Sequence, residues 1–217
     1  LTFGSTAGVH YAVSKTGYTG AGLVVKNGNI VQAGTVGIGD NSIGVYAING
    51  ISNVEVSNVN FILNSPGATA ISFEYASGVR AFNNLVRINA LTYSAQGGTN
   101  DGFVFLRSSG LEIFNNRFER TYTGIAVTST LPGFDDNIRI YNNVILGKKQ
   151  AKNPYGIILY ETDKAIVYNN TIISNENRGI FVEANHYSEI YNNYIDVTYS
   201  TPEGPYDGQL STGIRVR

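Results

Sequence analysis

Tyr160, Glu161, Asp163 and Lys164 stand together in the stretch YETDK, and Glu183 and His186 stand together in the later stretch VEANH. Carboxyls, a phenol and an imidazole are the groups that move protons near neutral pH or hold a cation. They form one set only if the fold brings the two stretches side by side. Aligning Gly156 with Gly179 does this, placing Tyr160 beside Glu183 and Asp163 beside His186. Tyr160, Glu161, Asp163, Glu183 and His186 are therefore the candidate catalytic residues. The competing reading is that they are ordinary polar loop side chains.

The alignment rests on a repeat. The pair Asn-Asn returns in FNNL (82–85), FNNR (114–117), YNNV (141–144), YNNT (168–171) and YNNY (191–194), with weaker relatives KNGN (26–29) and SNVN (57–60). A second motif, a small residue followed by alternating apolar positions, alternates with it: GVYAI, AISFE, GFVFL, GIAVT, GIILY, GIFVE and GIRVR. From the small residue to the first Asn the count is 13 for Ala70 to Asn83, Gly102 to Asn115, Gly156 to Asn169 and Gly179 to Asn192. From each Asn to the next small residue it swings from 9 to 21. One half of the unit is constant and the other carries insertions.

Period-two alternation with β-branched and aromatic residues argues for short strands, and no helical stripe is present. Such a unit buries its apolar face only by stacking on copies of itself. Three strands per coil follow: the GIxV strand, the stretch before the asparagines, and the stretch after them. Ile71/Phe73, Phe103/Phe105, Ile125/Val127, Ile157/Leu159 and Ile180/Val182 are expected to point inward from the first strand. Of each asparagine pair, the first is expected to turn its amide inward as a ladder. The second (Asn84, Asn116, Asn143, Asn170, Asn193, with Gly28 in the same slot) is expected to take positive φ.

This pattern resembles the right-handed parallel β-helix of the pectate-lyase-like superfamily, over nearly the whole chain. The resemblance implies an all-β, right-handed single-stranded parallel solenoid of about seven to eight coils with an asparagine ladder, as one domain over residues 1–217. That domain is either complete or an excerpt of a longer chain. In lyases and hydrolases of this fold the substrate lies along the outer face of the first strand. Catalysis there uses paired carboxylates for hydrolysis, or a base with calcium or a cation for elimination.

The expected outward first-strand positions include Val104, Leu106, Ile158, Tyr160 and Phe181, an unusually apolar strip that reads as a contact surface or a covered site. On the opposite rim Arg87, Arg120, Lys148, Lys149, Lys152 and Arg178 suggest a basic wall, with tyrosines for sugar stacking. Tyr122, Lys148, Lys149, Tyr155, Arg178 and Phe181 are accordingly the candidate substrate-binding residues. TNDGF (99–103) resembles the NTDG of polygalacturonases and Asp135-Asp136 their GDD, but neither has its partners in place. Glu55, Arg80, Glu112, Arg139, Ile166 and Glu189 are expected to stack outward from the second strand, beside the aromatics Phe82, Phe114, Tyr141, Tyr168 and Tyr191.

Composition narrows the partners. A net charge of −1 supplies no basic field for nucleic acid, and no apolar run is long enough to span a bilayer. Charged residues are only 14%, while 25 glycines, 15 tyrosines and many amides and hydroxyls carry the polarity, which suits an extracellular or cell-surface protein. Cysteine is absent, and no cluster of aspartates calls for calcium; no cofactor or metal is expected. The triplet Asn169-Asn170-Thr171 has the form of a glycosylation acceptor, but Asn169 belongs to the repeat, so it reads as coincidence.

The expected function is binding of a polysaccharide, an anionic one if the basic wall is real. Cleavage by a lyase or hydrolase route is left open. The alternative is a structural or adhesive segment, a stalk or filament subunit packing through the apolar first-strand face. GIRVR reads as a repeat strand without a cap, so self-association or a flanking domain is an expected partner at the ends.

Overall fold

The computed structural model describes residues 1–3, 10–16, 22–32, 42–89, 100–129, 137–147, 155–174, 178–185, 187–197 and 212–217. Among these every strand pairing is parallel. The first strands of eight coils pair in chain order as one sheet: His10–Thr16, Ser42–Ile48, Ala68–Glu74, Asp101–Leu106, Thr123–Thr128, Tyr155–Tyr160, Arg178–Glu183 and Thr212–Val216. The second strands (such as Ser109–Phe114 and Ile138–Tyr141) and the third strands (such as Arg117–Thr121 and Val144–Gly147) form two further ladders. They merge where Leu23–Gln32 and Ser52–Leu63 run through the corner unbroken. The chain is a right-handed single-stranded β-helix.

Parallel pairing in register turns each inward position into a column. Ile71, Phe103, Ile125, Ile157 and Ile180 follow one another in successive coils, as do Phe73, Phe105, Val127, Leu159 and Val182, and all are buried. Third-strand Phe61, Val86, Phe118, Ile145 and Ile172 close the core from another side. Among the described residues no helix contributes, because each coil's apolar surface is covered by the coils above and below.

The small residue that opens each first strand answers to packing. A Cβ on Gly156 would sit 2.5 Å from the Gly179 carbonyl oxygen and 2.5 Å from Ile172 Cγ2, and one on Gly102 would sit closer still to the Gly124 carbonyl oxygen and 2.5 Å from Phe118 Cδ1. At Ala70 the slot admits a methyl, and there the third-strand column carries valine, Val86, instead of Phe or Ile.

The asparagine ladder is present, with the two roles exchanged relative to the sequence expectation. Asn83, Asn115, Asn142, Asn169 and Asn192 hold φ between +53° and +56° and are exposed. Their successors Asn84, Asn116, Asn143, Asn170 and Asn193 point inward. In the same way Asn27 has φ +59° and Gly28 does not take a left-handed conformation. Simple alternation from inward Leu111 and Ile113 puts Asn115 inward. One left-handed residue rotates the chain out of that alternation, so the inward direction passes to Asn116.

Each inward amide links coils. Asn143 Oδ1 accepts from Asn116 N and Asn116 Nδ2, both at 3.0 Å, and Asn143 Nδ2 donates to Ile113 O and to Asn170 Oδ1, both at 3.0 Å. The column ends where Asn84 Oδ1 accepts from Val59 N at 3.0 Å. The two outer stacks are also present. Phe82, Phe114, Tyr141, Tyr168 and Tyr191 lie nearly parallel at 4.9 to 5.2 Å, and Arg80 pairs with Glu112 at 3.0 Å.

Two substitutions separate these roles. Asn143→Ala strips two buried donors of Asn116 and is expected to cost roughly 2 to 6 kcal/mol, whereas Asn142→Gly, at positive φ, is expected to be near neutral. Chemical denaturation checks both, and equal effects would contradict the assignment. Gly156→Ala is expected to cost about 1 to 3 kcal/mol through overpacking, read from the same denaturation midpoints.

Candidate functional site

The first-strand sheet presents its outward side chains in two columns. The nearer runs Tyr46, Ser72, Val104, Ala126, Ile158, Phe181 and Arg215; the farther runs Ile48, Glu74, Leu106, Thr128, Tyr160 and Glu183. The apolar strip in these columns is more covered than its composition suggests. Phe181 is 7% exposed, and only Leu106, at 36%, ranks as exposed. Phe181 lies beneath Arg178, whose guanidinium carbon is 5.2 Å from its ring centre and 5.1 Å from that of Tyr155. Tyr155 and Phe181 touch at 5.5 Å, and Arg178 also donates to the Tyr155 hydroxyl. This trio sequesters its own rings, and Arg178 itself is 8% exposed.

The accessible chemistry lies where the first strands end. The residue after the strand takes a left-handed conformation at Asn49 (φ +72°), Tyr75 (+56°), Arg107 (+49°), Glu161 (+53°) and Ala184 (+54°), with Ser129 the exception between Arg107 and Glu161. Its N–H donates to the next coil, as Glu161 N does to Glu183 O at 2.9 Å and Arg107 N to Thr128 O at 2.7 Å. Because the conformation recurs, the strain at Glu161 belongs to the turn and is not by itself a catalytic signature. Its effect at Tyr75, Arg107 and Glu161 is to aim a polar side chain outward along the rim.

Behind that row a buried polar column supports the turn. Ser108 Oγ accepts from Ala76 N at 3.1 Å, and Asn185 Oδ1 accepts from Thr162 N at 2.9 Å while Asn185 Nδ2 donates to Thr162 Oγ1 at 2.8 Å. Thr162 thus faces inward between Glu161 and Asp163.

Tyr160 pairs in register with Thr128 on one side and Glu183 on the other. The negative charge of Glu161, its hydrogen bond with the Tyr160 hydroxyl, burial, and the charge of Glu183 all raise the Tyr160 pKa above the ordinary tyrosine value. A phenol so placed keeps its proton at neutral pH and serves as a hydrogen-bond donor, not as a base. Glu183 is shared with Arg217, 4.0 Å away. Two coils or more toward the N-terminus the same rim carries Arg107, which pairs with Glu74 at 3.3 Å, donates to the Tyr75 hydroxyl and lies 5.2 Å from that ring's centre.

The structure therefore brings Tyr160, Glu161 and Glu183 together. Asp163 follows on the same turn, half-buried, and His186 lies outside the described residues. Of the substrate-binding candidates, Tyr122 and Tyr155 sit at the opposite rim, linked by Tyr155 N donating to Tyr122 O at 3.1 Å. Arg178 and Phe181 are buried with Tyr155, and Lys148 and Lys149 lie outside the described residues.

Of the basic wall, Lys148, Lys149 and Lys152 lie outside the described residues, Arg120 is exposed at φ +60° and Arg178 is buried. Arg87 points out from the third strand and pairs with Glu119 at 2.8 Å, a carboxylate held below its usual pKa by hydrogen bonds from Arg117 and Arg87. Asn100 of TNDGF is a fold residue: its Oδ1 accepts from Gly67 N at 2.8 Å. Among the described residues no three His, Asp or Glu side chains converge to hold a metal ion.

Arg217 is an expected outward position of the last first strand, whereas Tyr75 and Arg107 escape the sequence reading because the outward alternation stops at the strand end. The slot after it was visible in the constant spacing: Tyr75, Arg107 and Glu161 each stand five residues beyond the small residue that opens their strand.

A family model described as "Right handed beta helix region" matches residues 93–215. No curated protein and no solved structure matches the chain.

Glu161→Gln removes the leading cause of the raised Tyr160 pKa. In an NMR titration of tyrosine-labelled protein, Tyr160 is expected to deprotonate above the ordinary tyrosine range in the wild type and at lower pH in the variant. An unchanged midpoint would place Glu161 away from the hydroxyl.

Proposed function

This chain belongs to the right handed beta helix family, and from that premise we propose that it is an extracellular protein that binds polysaccharide along the rim where its first strands end. The observation that carries this is the register Thr128, Tyr160, Glu183, with the Glu161 carboxylate on the Tyr160 hydroxyl. It makes a straight row of donors and acceptors repeating at the coil spacing of about 4.8 Å, on the scale of one sugar unit. Glu74, Tyr75 and Arg107 extend the row. A linear polymer of hydroxyls matches such a row, and a protonated phenol beside carboxylates offers both donor and acceptor to each sugar.

The burial of Phe181 under Arg178 weighs against the assembly reading, since it removes apolar area from the face that a protein partner would need. The scarcity of charge and the abundance of amides and hydroxyls support the extracellular placement.

Hydrolysis is the second reading, favoured by one feature. Glu161 and Glu183 both act on the same hydroxyl, which sets two carboxylates around one point, the residue pair that glycoside hydrolysis employs. Elimination with Tyr160 as base is opposed by its raised pKa.

Calorimetry against a panel of neutral and uronate polysaccharides tests the proposal, with reducing ends and unsaturated-uronate absorbance followed in parallel. Tyr160→Phe and Glu183→Gln are each expected to weaken binding about tenfold, roughly 1.4 kcal/mol, with the melting temperature little changed. Binding to no polysaccharide, or binding unaffected by both substitutions, would remove this reading. Reducing ends released by the wild type and lost in Glu183→Gln would establish hydrolysis.

A further inference from the structure

The triplet Asn169-Asn170-Thr171 reads as coincidence in the sequence because Asn169 belongs to the repeat, in which the first asparagine is expected to be an inward ladder amide. The structure reverses that premise: Asn169 is exposed at φ +54°, and Asn170, 1% exposed, fills the ladder. We propose that Asn169 is an acceptor for an N-linked glycan, carried on the outer corner between the second and third strands. This inference stands apart from the polysaccharide reading, since it concerns a different corner of the coil.

Asn169 is unique in its column. The exposed turn asparagines Asn83, Asn115, Asn142 and Asn192 are followed two residues later by Leu85, Arg117, Val144 and Tyr194, whereas Asn169 is followed by Thr171. Acceptor recognition requires a hydroxyl at that position. Thr171 opens the third strand, paired with Val144 and Tyr194, and its successor Ile172 is the one that points into the core. The carboxamide and the hydroxyl therefore both lie outside the coil.

The surroundings accept a sugar. The residues above and below Asn169 in the turn column are Asn142 and Asn192, both short, exposed amides. Beside them run the rings of Tyr168 and Tyr191, stacked at 5.2 Å. Asn170 is the contrasting case: its Nδ2 donates to Ile140 O at 3.0 Å and Asn193 Oδ1 at 2.9 Å, so a substituent there would break the ladder.

In the transfer, Asn169 Nδ2 attacks the anomeric carbon of a lipid-pyrophosphate-linked oligosaccharide. The bond from that carbon to the pyrophosphate oxygen breaks, the pyrophosphate leaves with the electron pair, and the amide proton passes to a base of the transferase. Attachment precedes folding, because the folded third strand is locked in its sheet. The left-handed turn then decides whether the folded coil tolerates the product.

The test is expression of the full chain through a eukaryotic secretory pathway, with intact-mass measurement before and after peptide N-glycosidase. One glycan is expected, with enzymatic release converting Asn169 to Asp. It is expected to vanish in Asn169→Gln and in Thr171→Ala and to persist in Thr171→Ser. Glycosylated and released forms are expected to melt together. Wild-type chain recovered without sugar, or sugar-bearing chain recovered only misfolded, overturns the proposal.

Discussion

Every buried amide from Asn84 to Asn170 bonds to the coil before it and the coil after it, and the placement of all outward chemistry depends on that column. A turn of two residues between parallel strands leaves backbone groups pointing into a core without water. The amide answers them with an oxygen that accepts twice and a nitrogen that donates twice. Since the bonds run between coils, each corner fixes the height of its neighbours. Register along the whole stack follows, and with it the pairing of Tyr160 with Glu183.

The glycine corner acts on a different coordinate. It lets the third-strand Ile or Phe approach the first strand closely, as the 2.5 Å that a Gly156 Cβ would leave to Ile172 shows. Amide corners set the rise per coil and glycine corners set the cross-section. With both constrained, most insertions fall between the third strand and the next first strand, where spacing swings from 9 to 21 residues, and one more follows Thr128, where Gly124 to Asn142 spans 18. The rim with Tyr160 and Glu161 lies on the other side of the first strand, where the count to the next Asn is most often 13. That is why a regular row of polar side chains can form there.

The columns of Phe103, Ile125 and Ile157 and the ring stack from Phe82 to Tyr191 were legible in the sequence because alternation and motif spacing both encode register. The roles within each asparagine pair were not, because alternation carries across a turn only if no residue leaves the extended region, and Asn115 does. The strip of Val104, Ile158 and Phe181 reads in the sequence as either a contact surface or a covered site, because periodicity tells which way a residue points but not what folds over it. Arg178 covers Phe181 through a contact between neighbouring coils.

From the sequence alone came the solenoid, its three strands per coil, its ladder and the adjacency of Tyr160 to Glu183, since each is a consequence of period and count. Only the tertiary structure decided which asparagine is buried, that Arg178 belongs to a covered cluster, and that Glu161 projects from a recurring left-handed turn against the Tyr160 hydroxyl. Those outcomes depend on backbone dihedrals and on contacts between coils, and a residue's spacing records neither.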